Sequence, residues 1–191
     1  MTPPEVQEDP SGLPMLAVGA LLAGAVTGLL GSLFRMALDA THGVRGSLID
    51  WARQWPSFGW LVPVVGAAVA AALARALVRI SPLAAGSGVQ HVEAVARGQS
   101  EPAGFPTIPV KFAGGILAIG SGLALGREGP SVQMGAVLGH QVGRLLRLPA
   151  RDQVLLLTAA AGSGLGVAFN APTGGAMFVF EEVWHAFRLR L

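Results

Sequence analysis

The sequence of 191 residues has no cysteine and few charged side chains. Without cysteine, disulfides and thiolate metal sites are excluded. Charged residues make up 13% of the chain, whereas a soluble domain usually carries about 25%. The net charge is only +2, and the arginines are scattered without partner aromatics, so no nucleic-acid-binding surface is indicated. The composition instead indicates that lipid is the solvent for much of the protein surface.

Catalytic and cofactor patterns are missing as well. No nucleophile–base pair appears, so an enzyme is not indicated. His91 and His140 have no companion ligands at metal spacing, and we expect neither a metal site nor a cofactor. The glycine pattern at 162–166 faintly resembles a nucleotide-binding loop, but no strand precedes it. Helix packing is therefore the favoured interpretation of that pattern.

Long apolar runs dominate the first part of the chain. Residues 13–34 form an uncharged run long enough to cross a bilayer, which takes about 20 residues. Residues 35–53 are interpreted as a polar connection, and a second span is predicted from about 60 to 74, with an extension to 80 left open. Residues 1–12 carry acidic but no basic side chains and are predicted to be a disordered tail, not a signal peptide.

The apolar pieces that follow are short and interrupted by glycine and proline. A helix is predicted over 108–126, another from 131, and the uncharged stretch 154–180 is divided by Pro172. Broken helices are tolerated at membrane depth only where they are buried in protein or line a cavity, and they mark the binding sites of transporters. The sequence therefore predicts an all-α, polytopic membrane protein with broken helices.

Two glycine-flanked segments are suited to binding an anion. One is 86–88, before a predicted helix at 89–96, and the other is 126–130, before a helix at 131–138. The first N–H groups of a helix are unpaired and its dipole is positive there, and the Ser87 hydroxyl can donate a further hydrogen bond. Glu128 is itself an anion in such a place. It could occupy the ion's position when ionised and leave when protonated, acting as gate and proton carrier together.

Four motifs in order resemble the CLC family of chloride channels and proton/chloride exchangers. GSGVQ at 86–90 is similar to the family's GSGIP, and GREGP at 126–130 is identical to the family motif. VKF at 110–112 is similar to the family, and FNAP at 169–172 followed by FVFEE at 178–182 resembles its proton-pathway segment. The resemblance covers nearly all of residues 14–185.

This resemblance implies a fold, an activity and roles for particular residues. Residues 13–191 would form the N-terminal half of a CLC transmembrane domain, the first repeat of an inverted-repeat fold that is homodimeric with one pore per subunit. Chloride would be bound by Ser87, Gly88 and Gly129. Glu128 would be the external gating glutamate and Glu182 the inner proton-transfer glutamate. The implied activity is chloride transport coupled to proton antiport, in a multi-pass protein of a bacterial-type plasma membrane.

The sequence departs from the family pattern at two places. Gln90 stands where the family usually has proline, next to the ion site. The GxFxP motif and the coordinating tyrosine of the family's second half are not among the 191 residues, so we expect this chain to be a truncated half with an incomplete anion site. The alternatives are a passive chloride channel, which needs no inner proton acceptor such as Glu182, and a non-transporting half-subunit for dimerisation or regulation.

Single residues also have structural interpretations that remain open at this point. Glu128 could pair with Arg127, Ser87 could only cap a helix, and Glu182 could lie at a solvated helix end. Lys111 and Arg127 are interpreted as structural or field-setting cations rather than ion ligands.

Overall fold

The computed structural model describes residues 13–183, with side chains as far as Glu181. Seven α-helices account for most of these residues, and no strand occurs among them. The helices are α1 (Leu13–Ala52), α2 (Leu61–Val78), α3 (Val89–Ala96), α4 (Thr107–Gly120), α5 (Glu128–Leu145), α6 (Ala150–Phe169) and α7 (Pro172–Phe178). A 3-10 turn (Pro82–Ala84) precedes α3, and a π turn (Val179–Val183) follows α7. The predicted all-α class is confirmed.

Helices α1, α2 and α6 are long and apolar enough to cross a membrane. The interpretation of 35–53 as a separate polar connection is wrong, because α1 continues as one helix to Ala52. No proline occurs between Pro14 and Pro56 to stop it. Its apolar stripe also continues, since Phe34, Leu38 and Ala52 are buried.

Helix α5 forms the centre of the described chain, with α1, α3, α4 and α6 around it. Every residue from 131 to 139 is buried. On one side lies an apolar cluster that includes Phe34, Leu38 and Met134, and on another a cluster that includes Val92 and Val132. The helix is therefore surrounded by protein, which explains how it carries polar side chains without being lipid-exposed.

A seam of small residues joins α5 to α6. A Cβ added to Gly135 would overlap the carbonyl oxygen of Ala160, and one added to Gly139 would overlap that of Leu156. From the α6 side, a Cβ on Gly164 would overlap the carbonyl oxygen of Ser131. Gly162 and Gly166 are buried too, so the glycine pattern at 162–166 lies inside a helix and serves packing, as expected.

The helices break near the predicted motifs, but at different residues. Helix α4 ends at Gly120 rather than 126, because Gly122 takes a left-handed φ of 104° that a helix cannot continue through. Helix α5 begins at Glu128 rather than 131. Pro130 is compatible with this earlier start, since the first helical turn needs no N–H from it. Helix α3 has the predicted bounds.

A candidate anion site at the start of helix α5

The loop before α3 is held by a buried cation from α4. Lys111 is 5% exposed, and its ammonium group donates hydrogen bonds to the carbonyl oxygens of Ala84, at 3.1 Å, and Gly86, at 2.7 Å. No described carboxylate pairs with Lys111. Its hydrogen bonds therefore go to loop carbonyl oxygens, and the buried charge holds this loop against α4.

The same loop touches the first turn of α5. A Cβ placed on Gly129 would lie 2.6 Å from the carbonyl oxygen of Ser87 and 2.7 Å from its hydroxyl. Gly88 has a φ of 91° and packs so closely on Gln133 that a Cβ would lie 2.6 Å from the side-chain amide carbon. Side chains at these two glycines would separate the loop from the helix. Ser87, Gly88 and Gly129, the three predicted chloride ligands, are thus brought together.

The loop before α3 packs on the side chain of Gln133. This side chain is fully buried, and its Nε2 donates a 2.7 Å hydrogen bond to the carbonyl oxygen of Leu83. Sequence reasoning missed this residue. Gln133 lies about one turn after the GREGP motif, among small and apolar residues. A polar side chain in such a segment needs a hydrogen-bond partner, and this could have marked the residue as part of the site.

Glu128 is the first residue of α5, and its carboxylate folds back over Gly126. A Cβ on Gly126 would overlap the carboxylate, so the glycine makes room for this conformation. Among the described residues neither Glu128 nor Arg127 takes part in an ion pair. The alternative of a structural Glu128–Arg127 pair therefore has no support from the geometry.

A cavity of 620 Å³ contains these groups. It lies between α2, α4 and the start of α5, and we call it the vestibule. Its charged lining residues are Arg75, Lys111 and Glu128, and Ser87 and Gly129 also line it. Two cations face one carboxylate, so the vestibule suits an anion. Gln90 is exposed and is not among the lining residues.

The remaining predicted site residue lies at the edge of the described chain. The backbone of Glu182 falls in the π turn after α7, and its side chain is outside the described residues. Its neighbour Glu181 is exposed. Among residues 13–181 no group of three or more metal-ligating side chains occurs.

The whole arrangement matches known proteins. The model of the voltage gated chloride channel family matches residues 66–191. The chain belongs to this family. A CLC relative, the H(+)/Cl(-) exchange transporter ClcA of Vibrio cholerae serotype O1 (strain ATCC 39541 / Classical Ogawa 395 / O395), is 41% identical over 177 residues. ClcA of Citrobacter koseri is 36% identical over 189 residues, which cover 97% of this chain and 40% of the relative.

Solved CLC structures share the fold. A slow cyanobacterial Cl-/H+ antiporter superimposes with a TM-score of 0.84 at 33% identity, covering 92% of this chain and 41% of the other. A eukaryotic CLC transporter gives a TM-score of 0.68 at 28% identity, covering 88% and 34%. The chain spans 37% of the length of the Vibrio relative and 90% of its own length is matched. The resemblance to CLC proteins and the integral membrane class are confirmed, and the matched relatives are transporters and channels.

Proposed function

We propose that the chain forms part of a transporter that moves chloride across a bacterial plasma membrane in exchange for protons. The observation that carries this proposal is that the Glu128 carboxylate shares one vestibule with Ser87, Gly129 and Lys111 at the start of α5. The names of the Vibrio and Citrobacter relatives support the same activity. We further propose a homodimer with one pore per subunit.

The geometry suggests how the two ions are coupled. Chloride in the vestibule accepts hydrogen bonds from the Ser87 hydroxyl and from backbone N–H groups at the loop and at the start of α5. The ionised Glu128 carboxylate competes for the same positive helix end. Protonation removes its charge, so the side chain leaves the site and chloride enters. One side chain thereby exchanges a proton for an anion, and Glu182 passes the proton on at the inner side.

Replacing Glu128 tests this proposal directly. In proteoliposomes of a transport-competent assembly that contains this chain, Glu128→Gln should mimic the protonated gate. Chloride flux should persist, while uphill proton movement on a chloride gradient should fall to background. Glu101→Gln is the matched control, because Glu101 is exposed and does not line the vestibule. Uphill proton transport by Glu128→Gln would refute the gating role.

Two alternatives give different results in the same assay. A passive chloride channel would show chloride flux without uphill proton movement in the unaltered protein. A non-transporting subunit would show neither flux and would only alter the assembly or regulation of a partner. The paired acids Glu128 and Glu182 favour the exchanger, because a channel needs no inner proton acceptor.

A further inference from the structure

We infer that a single water molecule is bound between α3 and α5, bridging Nε2 of His91 to Oε1 of Gln133. Both atoms are buried and have no protein hydrogen-bond partner. Both residues also line one small cavity. Two residues that share a cavity and each hold an unsatisfied buried polar atom point to a common ligand, because such an atom is costly.

The cavity has the size of one water molecule. Its volume is about 10 Å³, close to the one probe sphere that a buried water needs. The other lining residues are apolar: Val92, Val95, Ala103, Ala136, Val137 and Leu157. A water here therefore depends on the two polar side chains, which supply the minimum of two hydrogen-bond partners. A solute larger than water does not fit this space.

The orientation of the Gln133 amide is fixed, so Oε1 is the atom that remains without a partner. Nε2 of Gln133 donates to the carbonyl oxygen of Leu83 at 2.7 Å. Rotating the amide by half a turn would place two oxygen atoms against each other. Oε1 therefore still needs a hydrogen-bond donor.

The hydrogen-bond pattern of His91 is complementary. The Ser100 hydroxyl lies 3.5 Å from Nδ1 of His91, and a hydroxyl that donates to Nδ1 leaves the ring proton on Nε2. Nε2–H then donates to the water oxygen, and the water donates to Oε1 of Gln133. The water thus joins the first turn of α3 to the residue on which Gly88 rests, directly behind the loop that carries Ser87.

A structure of the protein in lipid nanodiscs, at a resolution that reveals ordered solvent, tests the inference independently of transport. We expect one solvent peak within about 2.7–3.2 Å of both Nε2 and Oε1. A cavity without density, or a direct contact between Nε2 and Oε1, would overturn the proposal.

Thermal unfolding of His91 variants gives a second test. His91→Phe removes the water's donor and leaves Oε1 unpaired, so the melting temperature should fall by about 2–4 °C. His91→Gln keeps a polar partner for the water, so its melting temperature should fall by less than that of His91→Phe. A dry cavity predicts the opposite order, since His91→Phe would then delete an unsatisfied polar atom and leave the melting temperature unchanged or higher. His91→Leu gives the same comparison if the phenyl ring does not fit.

Discussion

Two cations face the vestibule in different ways. Lys111 is buried, and its hydrogen bonds to the loop carbonyls tie it to the architecture of the site. Arg75, on α2, is exposed and lines the vestibule without an ion pair in the described residues. If the vestibule binds anions as proposed, an exposed arginine there raises the local anion concentration without holding the ion tightly. We therefore assign Arg75 to attraction and Lys111 to loop position.

Neutralising Arg75 tests this division. Arg75→Gln should raise the chloride concentration for half-maximal flux by roughly two- to fivefold, the effect of one partly screened charge at the cavity wall. Flux measured over a series of chloride concentrations checks this. The difference should shrink when ionic strength is raised with gluconate salts. Arg79→Gln is the matched control, since Arg79 ends the same helix but does not line the vestibule. Equal effects from both variants would argue for a general surface-charge effect.

The predicted inner proton-transfer residue, Glu182, has a side chain that lies outside the described residues. Glu182→Gln should stop proton movement and leave the anion pathway open, because an amide cannot carry a proton inward. Simultaneous chloride and proton recordings from proteoliposomes measure this, with Glu181→Gln as the neighbouring control. Loss of both fluxes in a folded protein would assign Glu182 to structure.

The site residues differ in how far the sequence could reveal them. Ser87 and Glu128 stand in glycine-flanked helix starts, a local pattern that predicts anion chemistry. Arg75 and Gln133 reach the site from separate segments, and Gln133 meets Leu83 across 50 positions of sequence. Local sequence patterns carry no information about contacts between distant segments, so only the structure identifies Arg75 and Gln133 as neighbours of the site.

At the scale of elements, the seam between α5 and α6 fixes the helix that begins the anion site. Gly135 and Gly139 on α5, and Gly164 on α6, let backbone approach backbone. Such contact gains dispersion energy and removes the gaps that would let the helices slide. Because Glu128 and Gly129 are the first residues of α5, the seam also holds the candidate anion site in place.

Adding a methyl group to the seam should loosen it. Gly164→Ala should lower the melting temperature by several degrees, because overpacking costs about 1–3 kcal/mol and each kcal/mol shifts the midpoint of a domain this size by about 2–4 °C. Gly28→Ala is the control: Gly28 is also helical, but nothing lies within 4 Å of its added Cβ. Alanine's better helix propensity should leave that variant as stable or more so. An unchanged melting temperature in Gly164→Ala would mean that the two helices can accommodate the added methyl group.

The elements themselves were partly readable from the sequence. Apolar runs predicted helices at α1, α2, α4 and α6, because periodicity and length are local properties. Charged side chains between 35 and 53 wrongly suggested a break in α1, although no proline or left-handed glycine interrupts that segment. Polarity limits contact with lipid, whereas backbone geometry decides where a helix ends.

At the scale of the molecule, the vestibule is not enclosed by the described residues alone. Ser87 and Gly126 both line it and are exposed. An anion held there would retain much of its contact with solvent or lipid, so electrostatic attraction would be screened. The chain also spans only 37% of the length of its Vibrio relative.

We therefore predict that residues 1–191 alone insert into membranes but neither bind chloride with normal affinity nor transport it. Chloride efflux from liposomes that contain only this chain measures the activity, and empty liposomes give the background. Isothermal titration with chloride measures the affinity. Robust chloride efflux that drives uphill proton movement, with the proton movement lost and the chloride flux kept in Glu128→Gln, would show that this chain is sufficient by itself.

Helix α1 has a further consequence for the surrounding bilayer. Its 40 residues extend about 60 Å, whereas the hydrocarbon core measures about 30 Å. The helix must therefore lean strongly or extend its charged second half beyond the hydrocarbon. Gly19 of α1 packs on Leu156 and Gly31 on Val167, both in α6, and α6 packs on α5, so we expect a change in the tilt of α1 to reach the start of α5. We therefore expect lipid acyl-chain length to affect the geometry of the candidate anion site.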